Sequence, residues 1–258
     1  MKALPALDTD GTVAAVSTAG LCRRFGRRWA LANLDVRVET GRAVMIAGRN
    51  GSGKSTLLRI IATAIRPDRG HVFVAGHDVR SQRDDVRRRV ALLGHHSNTY
   101  DALTALQNLT VVSRMAGITA DRAALIAVLE RVGLGGRCED EVSGFSAGMR
   151  KRVAFARLLL QTDRIGSGDR ATKASLVLLD EPYAQLDPPG FRFVDDLIDQ
   201  FRRRGATVLM ATHLLSRGAA LCDDGIVLED GQLRWSGPAA HLSRQSGLES
   251  SGLTEGGD

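Results

Sequence analysis

Aromatic residues make up only 4% of this 258-residue chain, and they form no regular alternation with its arginines. A surface that reads nucleic acid by stacking is therefore poorly provided for. Cysteine is scarce too: Cys22, Cys138 and Cys222 stand far apart, with no CxxC pair among them. Neither a disulfide framework nor a cysteine metal knuckle is expected, and a reducing cytoplasm is the natural compartment. No apolar run approaches the roughly 18 residues that cross a bilayer. The opening "MKALPALDTDGTVAAV" carries acids and a proline where a secretory leader needs an unbroken apolar stretch. The expectation is a chain that does not itself span a membrane.

What is present is ordinary in bulk and basic in balance. Hydrophobic residues are 43% and charged residues 25%, with a net charge of +6. That is enough apolar material for the core of one large domain. Arginines cluster at 23–24, 27–28, 87–89, 150–152 (with Lys151) and 202–204. Such clusters serve as solvated helix faces, as attraction to an anionic membrane or a partner's loops, or as nucleic-acid contacts. Charge alone does not choose among these, although the poverty of aromatics argues against the last.

Along the chain the hydrophobic period changes. "TVAAVST", "NLDVRVET", "AVMIAG" and "HVFVAG" read as strands broken by Gly, Asp and Asn. After Gly53 the apolar residues Leu57, Leu58, Ile61 and Ile65 fall on one helical stripe, which Pro67 bars from passing about Arg66. Thr104 with Gln107 makes a capping box for a helix that Gly117 closes. Another helix lies in "TADRAALIAVLERVGLGG", and a third starts near Ser146. Residues 97–161 thus form a helical block between β-bearing halves. Strands return in "SLVLLD", "ATVLMAT" and "GIVLED", and Asp230-Gly231 is a hairpin signal into "LRWSG". The expected architecture is α/β, with a mostly parallel covered sheet, an antiparallel β subdomain toward the N-terminus and an inserted helical subdomain. One domain would span 1–242. Residues 162–175 read as a flexible insertion and 243–258 as a disordered tail.

Three stretches carry chemistry. "GRNGSGKST", Gly48 to Thr56, fits G-x-x-x-x-G-K-[ST] between an apolar strand and an amphipathic helix. Its glycines, Gly48, Gly51 and Gly53, let the backbone amides of the loop (Asn50, Ser52 and Thr56 included) close around phosphate oxygens at a helix N-terminus. Lys54 should reach the β- and γ-phosphates, and Ser55 should ligate Mg²⁺. "SLVLLDEP" sends Asp180 and Glu181 out of the carboxyl end of a buried strand, the edge where ligands bind in open α/β sheets. Asp180 can hold the Mg²⁺ shell and Glu181 can polarise an attacking water. "FSAGMRKRVAFARLLL" gives a helix capped by Ser146, where Gly148 leaves room for close backbone approach and the Ser hydroxyl with the first amide N–H groups, that of Ala147 included, makes a second anion site.

Taken in order, Gly48–Thr56, Ser146–Met149, Leu176–Glu181, "AQLD" at 184–187 and His213 resemble the ATP-binding subunit of an ABC transporter, over about residues 14–238. The resemblance implies a P-loop NTPase core that hydrolyses MgATP as a head-to-tail homodimer. Each ATP would lie between one copy's P-loop and the other's Ser146–Met149. It further implies a separate integral-membrane permease docked on the helical block, a peripheral place on the cytoplasmic face of the membrane, and no nucleic-acid partner. His213 matches the switch histidine, Asp187 the loop that crosses to the partner, and Phe25 the aromatic that stacks on adenine, with Trp29 as its rival. The signature departs from the family's usual LSGGQ, and Met149 cannot supply a glutamine's hydrogen bonds.

The wording of "LLGHHSNTYDALTALQNL", "FSAGMRKRVAFARLLL" and "LLDEPYAQLD" is most similar to the haem-exporter ATP-binding proteins of cytochrome c maturation. A multidrug or other exporter ATPase is the alternative. A soluble ABC ATPase acting on ribosomes or DNA is the reading from another class. In that family a glutamine ends the strand matching "VALLGHH", and His96 aligns with it, His95 being its neighbour. A plain loop role and a metal pair are the competing readings, the last disfavoured because adjacent side chains on extended backbone point to opposite faces.

Overall fold

The computed structural model describes residues 11, 13–165 and 176–242. Strands β1 (Val16–Phe25) and β2 (Arg28–Leu34) form a hairpin closed at Gly26, and β1 also pairs antiparallel with β3 (Arg37–Val38) and β5 (Arg69–Val74). With β6 (His77–Asp78) these make the antiparallel subdomain. The sequence places strand ends differently here. The run "GLCRRF" continues β1, while "NLDVRVET" supplies only the end of β2 and the two residues of β3.

The second sheet has six strands in the order β11 (Gln232–Pro238), β10 (Asp224–Glu229), β4 (Ala43–Ala47), β9 (Thr207–Ala211), β8 (Leu176–Asp180), β7 (Val90–Leu93). All its pairs are parallel except β10 with β11. Every residue of β4, β8 and β9 is buried, as befits strands covered on both faces. One apolar layer packs against α1 (Lys54–Ile61) and the antiparallel subdomain, the other against the helical block and α6 (Pro188–Arg203).

Local chemistry sets the helix ends. α1 stops at Ala62, short of the limit Pro67 allows, because Thr63 turns left-handed at φ +59°. Thr104 and Gln107 exchange both capping-box bonds at the start of α3 (Ala105–Met115), and Asp121 caps α4 (Arg122–Arg131). Helix α2 (Arg83–Arg89), too short and polar for a periodic signal, leads directly into β7. Helix α5 (Ala147–Ile165) runs through the first residues of the stretch read as an insertion. The rest of that stretch, 166–175, and the tail 243–258 lie outside the described residues.

Helix α7 (Leu215–Leu221) lies against β4 at Gly218, where an added Cβ would run into the side chain of the fully buried Met45. Replacing glycine by alanine in a helix interior ordinarily stabilises by roughly 0.5–1 kcal/mol. Here overpacking, about 1–3 kcal/mol, outweighs that gain. Gly218→Ala is therefore expected to lower the denaturant midpoint of unfolding with an unchanged m-value.

Candidate functional site

Strands β4, β8 and β9 are neighbours and parallel, so their carboxyl ends open on one edge of the sheet. Gly48 follows β4 with φ +143°, and an added Cβ there would sit 2.6 Å from Ser52 Oγ. Gly53, φ +106°, presses on the antiparallel subdomain, where a Cβ would come within 2.5 Å of the Ala30 carbonyl oxygen. Only glycine fits either place. The loop they frame delivers the backbone amides at the start of α1 toward a cleft of about 600 Å³.

Lys54 is buried and donates to the carbonyls of Gly48 (2.7 Å) and Arg49 (3.0 Å). Burial lowers its pKa, and the carboxylates of Glu181 and Asp180 pull it back up. The Ser55 hydroxyl donates to Asp180 Oδ1 at 2.9 Å. Burial raises the Asp180 pKa, while the Ser55 hydrogen bond and His95 oppose that rise. Ser52 Oγ is buried and has no hydrogen-bond partner among the described residues.

Glu181 follows β8 with φ +47°, a conformation uncommon outside glycine and asparagine. Its amide donates to the Ala211 carbonyl at 2.8 Å, which fastens the turn to the end of β9. Its Oε2 lies 2.9 Å from Nδ1 of His213, two residues past β9. A carboxylate and an imidazole at hydrogen-bond distance, beside a cradle of amides and a lysine, can orient and polarise a water next to a bound phosphate.

The cleft is lined by Phe25, Arg28, Trp29, Asn50, Gly51, Gly53, Lys54, Ser55, Thr56, His95, Glu181, Ala184 and His213. Phe25 and Trp29 face it from the β1–β2 hairpin and are 48% and 41% exposed, so neither is a core residue. The guanidinium of Arg23 lies 4.7 Å from the Phe25 ring centre, and that of Arg24 lies 5.9 Å from that of Trp29. Arg28, at the same hairpin turn, is a lining residue the motif pattern does not reveal.

The histidine assignment needs correction. His95, not His96, lines the cleft. The two rings meet edge to face, 5.1 Å between centres and 80° between planes. β7 ends at Leu93, so both histidines stand on the bend beyond the strand, and both are exposed. Among the described residues no group of three or more His, Cys, Asp or Glu side chains is arranged to hold a metal.

Ser146, Ala147, Gly148 and Asp187 do not line the cleft of their own chain. The Ser146 hydroxyl accepts from the Met149 amide at 3.2 Å at the start of α5, and both Ser146 and Ala147 are exposed. Asp187 caps α6, accepting from the Gly190 amide at 3.0 Å. A separate groove of about 620 Å³ runs between the helical block and the sheet, walled by Val90, Leu92, Val112, Met115, Ile118 and Arg157.

The family model described as ABC transporter matches residues 31–184. The daunorubicin resistance ATP-binding protein DrrA3 of Streptomyces coeruleorubidus is 35% identical over 235 residues, 90% of this chain and 71% of that protein. The ABC transporter ATP-binding protein NatA of Bacillus subtilis is 32% identical over 216 residues, 83% of each chain. The bacitracin transport ATP-binding protein BcrA of Bacillus licheniformis is 29% identical over 232 residues, 90% of this chain and 72% of that one. Among solved structures, an ATP-binding subunit of an ABC transporter superposes with a TM-score of 0.75 at 24% identity, covering 93% of this chain and 97% of its own. The cassette MJ0796, described as dimeric and bound to ADP and Pi, gives the same TM-score and identity over 87% of this chain and 98% of its own. These two likenesses establish the fold. The matches by sequence, over a chain whose P-loop, Glu181 and His213 line one cleft, with Asp180 behind Ser55 and hydrogen-bonded to it, go further: this chain belongs to the ABC transporter family, as an ATP-binding subunit with the ATPase cassette fold.

Proposed function

We propose that this ATPase drives a separate membrane permease that exports a small amphipathic compound. One observation carries the catalytic part. Lys54, the Ser55–Asp180 pair and the Glu181–His213 pair converge on one cleft, although they come from three strand ends. Lys54 would exchange its loop carbonyls for β- and γ-phosphate oxygens. Ser55 and Asp180 offer the hard oxygen donors that suit Mg²⁺, which when bound would neutralise phosphate charge. Glu181 would take the proton of the attacking water, with His213 fixing its carboxylate and then facing the γ-phosphate. His95 would accept a hydrogen bond from the same water region. Phe25 and Trp29 offer two faces to the adenine.

The exposed, capped start of α5 lies outside its own cleft, which supports a head-to-tail pair in which Ser146–Gly148 of one copy meets the nucleotide of the other. The groove beside Met115, itself 77% exposed, suits a permease segment on the helical block. Among the described residues no helix is long and apolar enough to cross a membrane, in keeping with a separate permease at whose cytoplasmic side this subunit would sit.

The export reading draws on relatives named for daunorubicin and doxorubicin resistance and for bacitracin transport. Haem export is a second reading, and the wording of "LLGHHSNTYDALTALQNL" and its two companion stretches favours it. The relatives named above do not, so the exporter of drug-like compounds takes precedence. Purifying the subunit with the permease it retains from host membranes separates the two. Stimulation of ATPase activity by daunorubicin or bacitracin is the expected result; stimulation by haem alone would reverse the order.

Two further outcomes test the site. Lys54→Ala is expected to lower ATPase activity by roughly a hundred-fold or more, since it removes a donor aimed at transition-state charge. Glu181→Gln should stop hydrolysis yet keep the ATP-loaded pair together, read by light scattering with and without ATP. A protein that stays monomeric with ATP and its permease would refute the head-to-tail arrangement.

His95 lines the cleft and His96 does not. A glutamine amide can accept the same hydrogen bond as an imidazole nitrogen. His95→Ala is therefore expected to lower ATPase activity several-fold, while His95→Gln and His96→Ala stay close to the parental rate. Parental activity in His95→Ala would remove His95 from the reaction.

A further inference from the structure

Lys151 stands in a run of basic residues, Arg150-Lys151-Arg152, and every reading that the charge pattern offers for such a run puts its side chains on a surface. The structure places it inside. Its residue surface is 1% exposed, and its ammonium donates to the backbone carbonyl of Glu181 at 3.0 Å. Glu181 holds φ +47°, a setting that persists only where surrounding contacts over-determine it. Its amide is fixed by Ala211, its carboxylate by His213 and its carbonyl by Lys151. Of these anchors only Lys151 comes from the helix that begins at the signature segment.

The same helix meets the rest of the loop at two more points. A side chain at Gly148 would bring its Cβ within 3.1 Å of the Gln185 carbonyl oxygen, and Gln185 is itself left-handed at φ +67°. Arg152 lies 4.0 Å from the carboxylate of Asp187. The first turns of α5 thus approach the loop from 181 to 187 at three points, Glu181, Gln185 and Asp187. Burying an ammonium is costly, and it lowers this one to about 8, while Asp180 and Glu181 raise it. A methionine would fill the volume without that cost, so packing alone does not account for a lysine here.

We propose that Lys151 is a positioning residue for hydrolysis, tying the helix that opens at Ser146 to the backbone of the Glu181 carboxylate. In the head-to-tail pair, a nucleotide engaged by Ser146–Gly148 in one cleft then bears on the setting of Glu181 in the other. This rests on the assignment of Glu181 as the base and on that pairing. No proton or bond changes hands at Lys151; its contribution is geometric.

The test uses the full chain and steady-state ATP hydrolysis. Lys151→Met keeps the volume and removes the donor. It is expected to stay folded, to keep KM for ATP within about three-fold, and to lower kcat about ten-fold or more, the loss of ~1.4 kcal/mol of transition-state stabilisation. Lys151→Gln, which restores an N–H, should recover part of that loss. Because Ser146 and Lys151 would lie on one path, Ser146→Ala and Lys151→Met together should cost less than the product of their separate effects on kcat. A parental kcat in the methionine variant overturns the proposal, as does equal damage in both variants or a parallel loss of ATP binding. Strictly multiplicative effects overturn the coupling to Ser146. Should Lys151→Met not fold, the glutamine variant and its cycle with Ser146→Ala decide. Glu181→Gln is the control: if it hydrolyses at the parental rate, the assignment of the base has failed, whatever Lys151 does.

Discussion

Three buried parallel strands, apolar but for Thr207 at the start of one and Asp180 at the end of another, leave the chain one place for its charges, the edge where the strands stop. β4, β9 and β8 are hydrogen-bonded side by side, and each releases its polar cargo within a few residues of its last buried position. Gly48 through Ser55 follow the first, His213 follows the second, and Asp180 and Glu181 end the third. Parallel pairing of three buried strands therefore does what no local sequence rule does, bringing residues far apart in the chain within hydrogen-bond reach. Ser55 on Asp180 spans 125 positions, and His213 on Glu181 spans 32.

The low dielectric that follows from this burial sharpens every charge in the cleft. Lys54, Lys151 and Asp180 are all shifted toward their neutral forms by desolvation; the carboxylates of Asp180 and Glu181 oppose this for the two lysines, and the Ser55 hydroxyl and nearby basic groups oppose it for Asp180. None of the three is stable as an isolated ion in such a place. Removing one partner therefore disturbs the others, and kinetic effects of single substitutions here will not sum independently.

Much of this was legible from the chain. The P-loop, the capping box at Thr104–Gln107 and the Asp230-Gly231 hairpin are local signals, each complete within a few residues, and the structure has each where the pattern puts it. What escaped was set at a distance. His95 and His96 are adjacent and alike in any local pattern, and only the folded chain shows that His95 is the one lining the cleft. Lys151 sits between two arginines, and its burial depends on where the loop after β8 crosses α5. Arg28 becomes a lining residue because the β1–β2 hairpin folds over the P-loop. The short helix α2 was invisible for another reason: of its seven residues only Val86 is buried, so it carries no apolar stripe.

Lys54 gives its protons to two carbonyls of its own loop. Those carbonyls are, in effect, an intramolecular competitor for the ammonium. A triphosphate gains from the lysine only the difference between an oxyanion and an amide oxygen as acceptor, so the contact contributes less to affinity than its charge suggests. The arrangement also frees the fold from its substrate, since the buried cation is satisfied by the chain itself. Nucleotide can then come and go through each cycle without the core having to be rebuilt around a stranded charge.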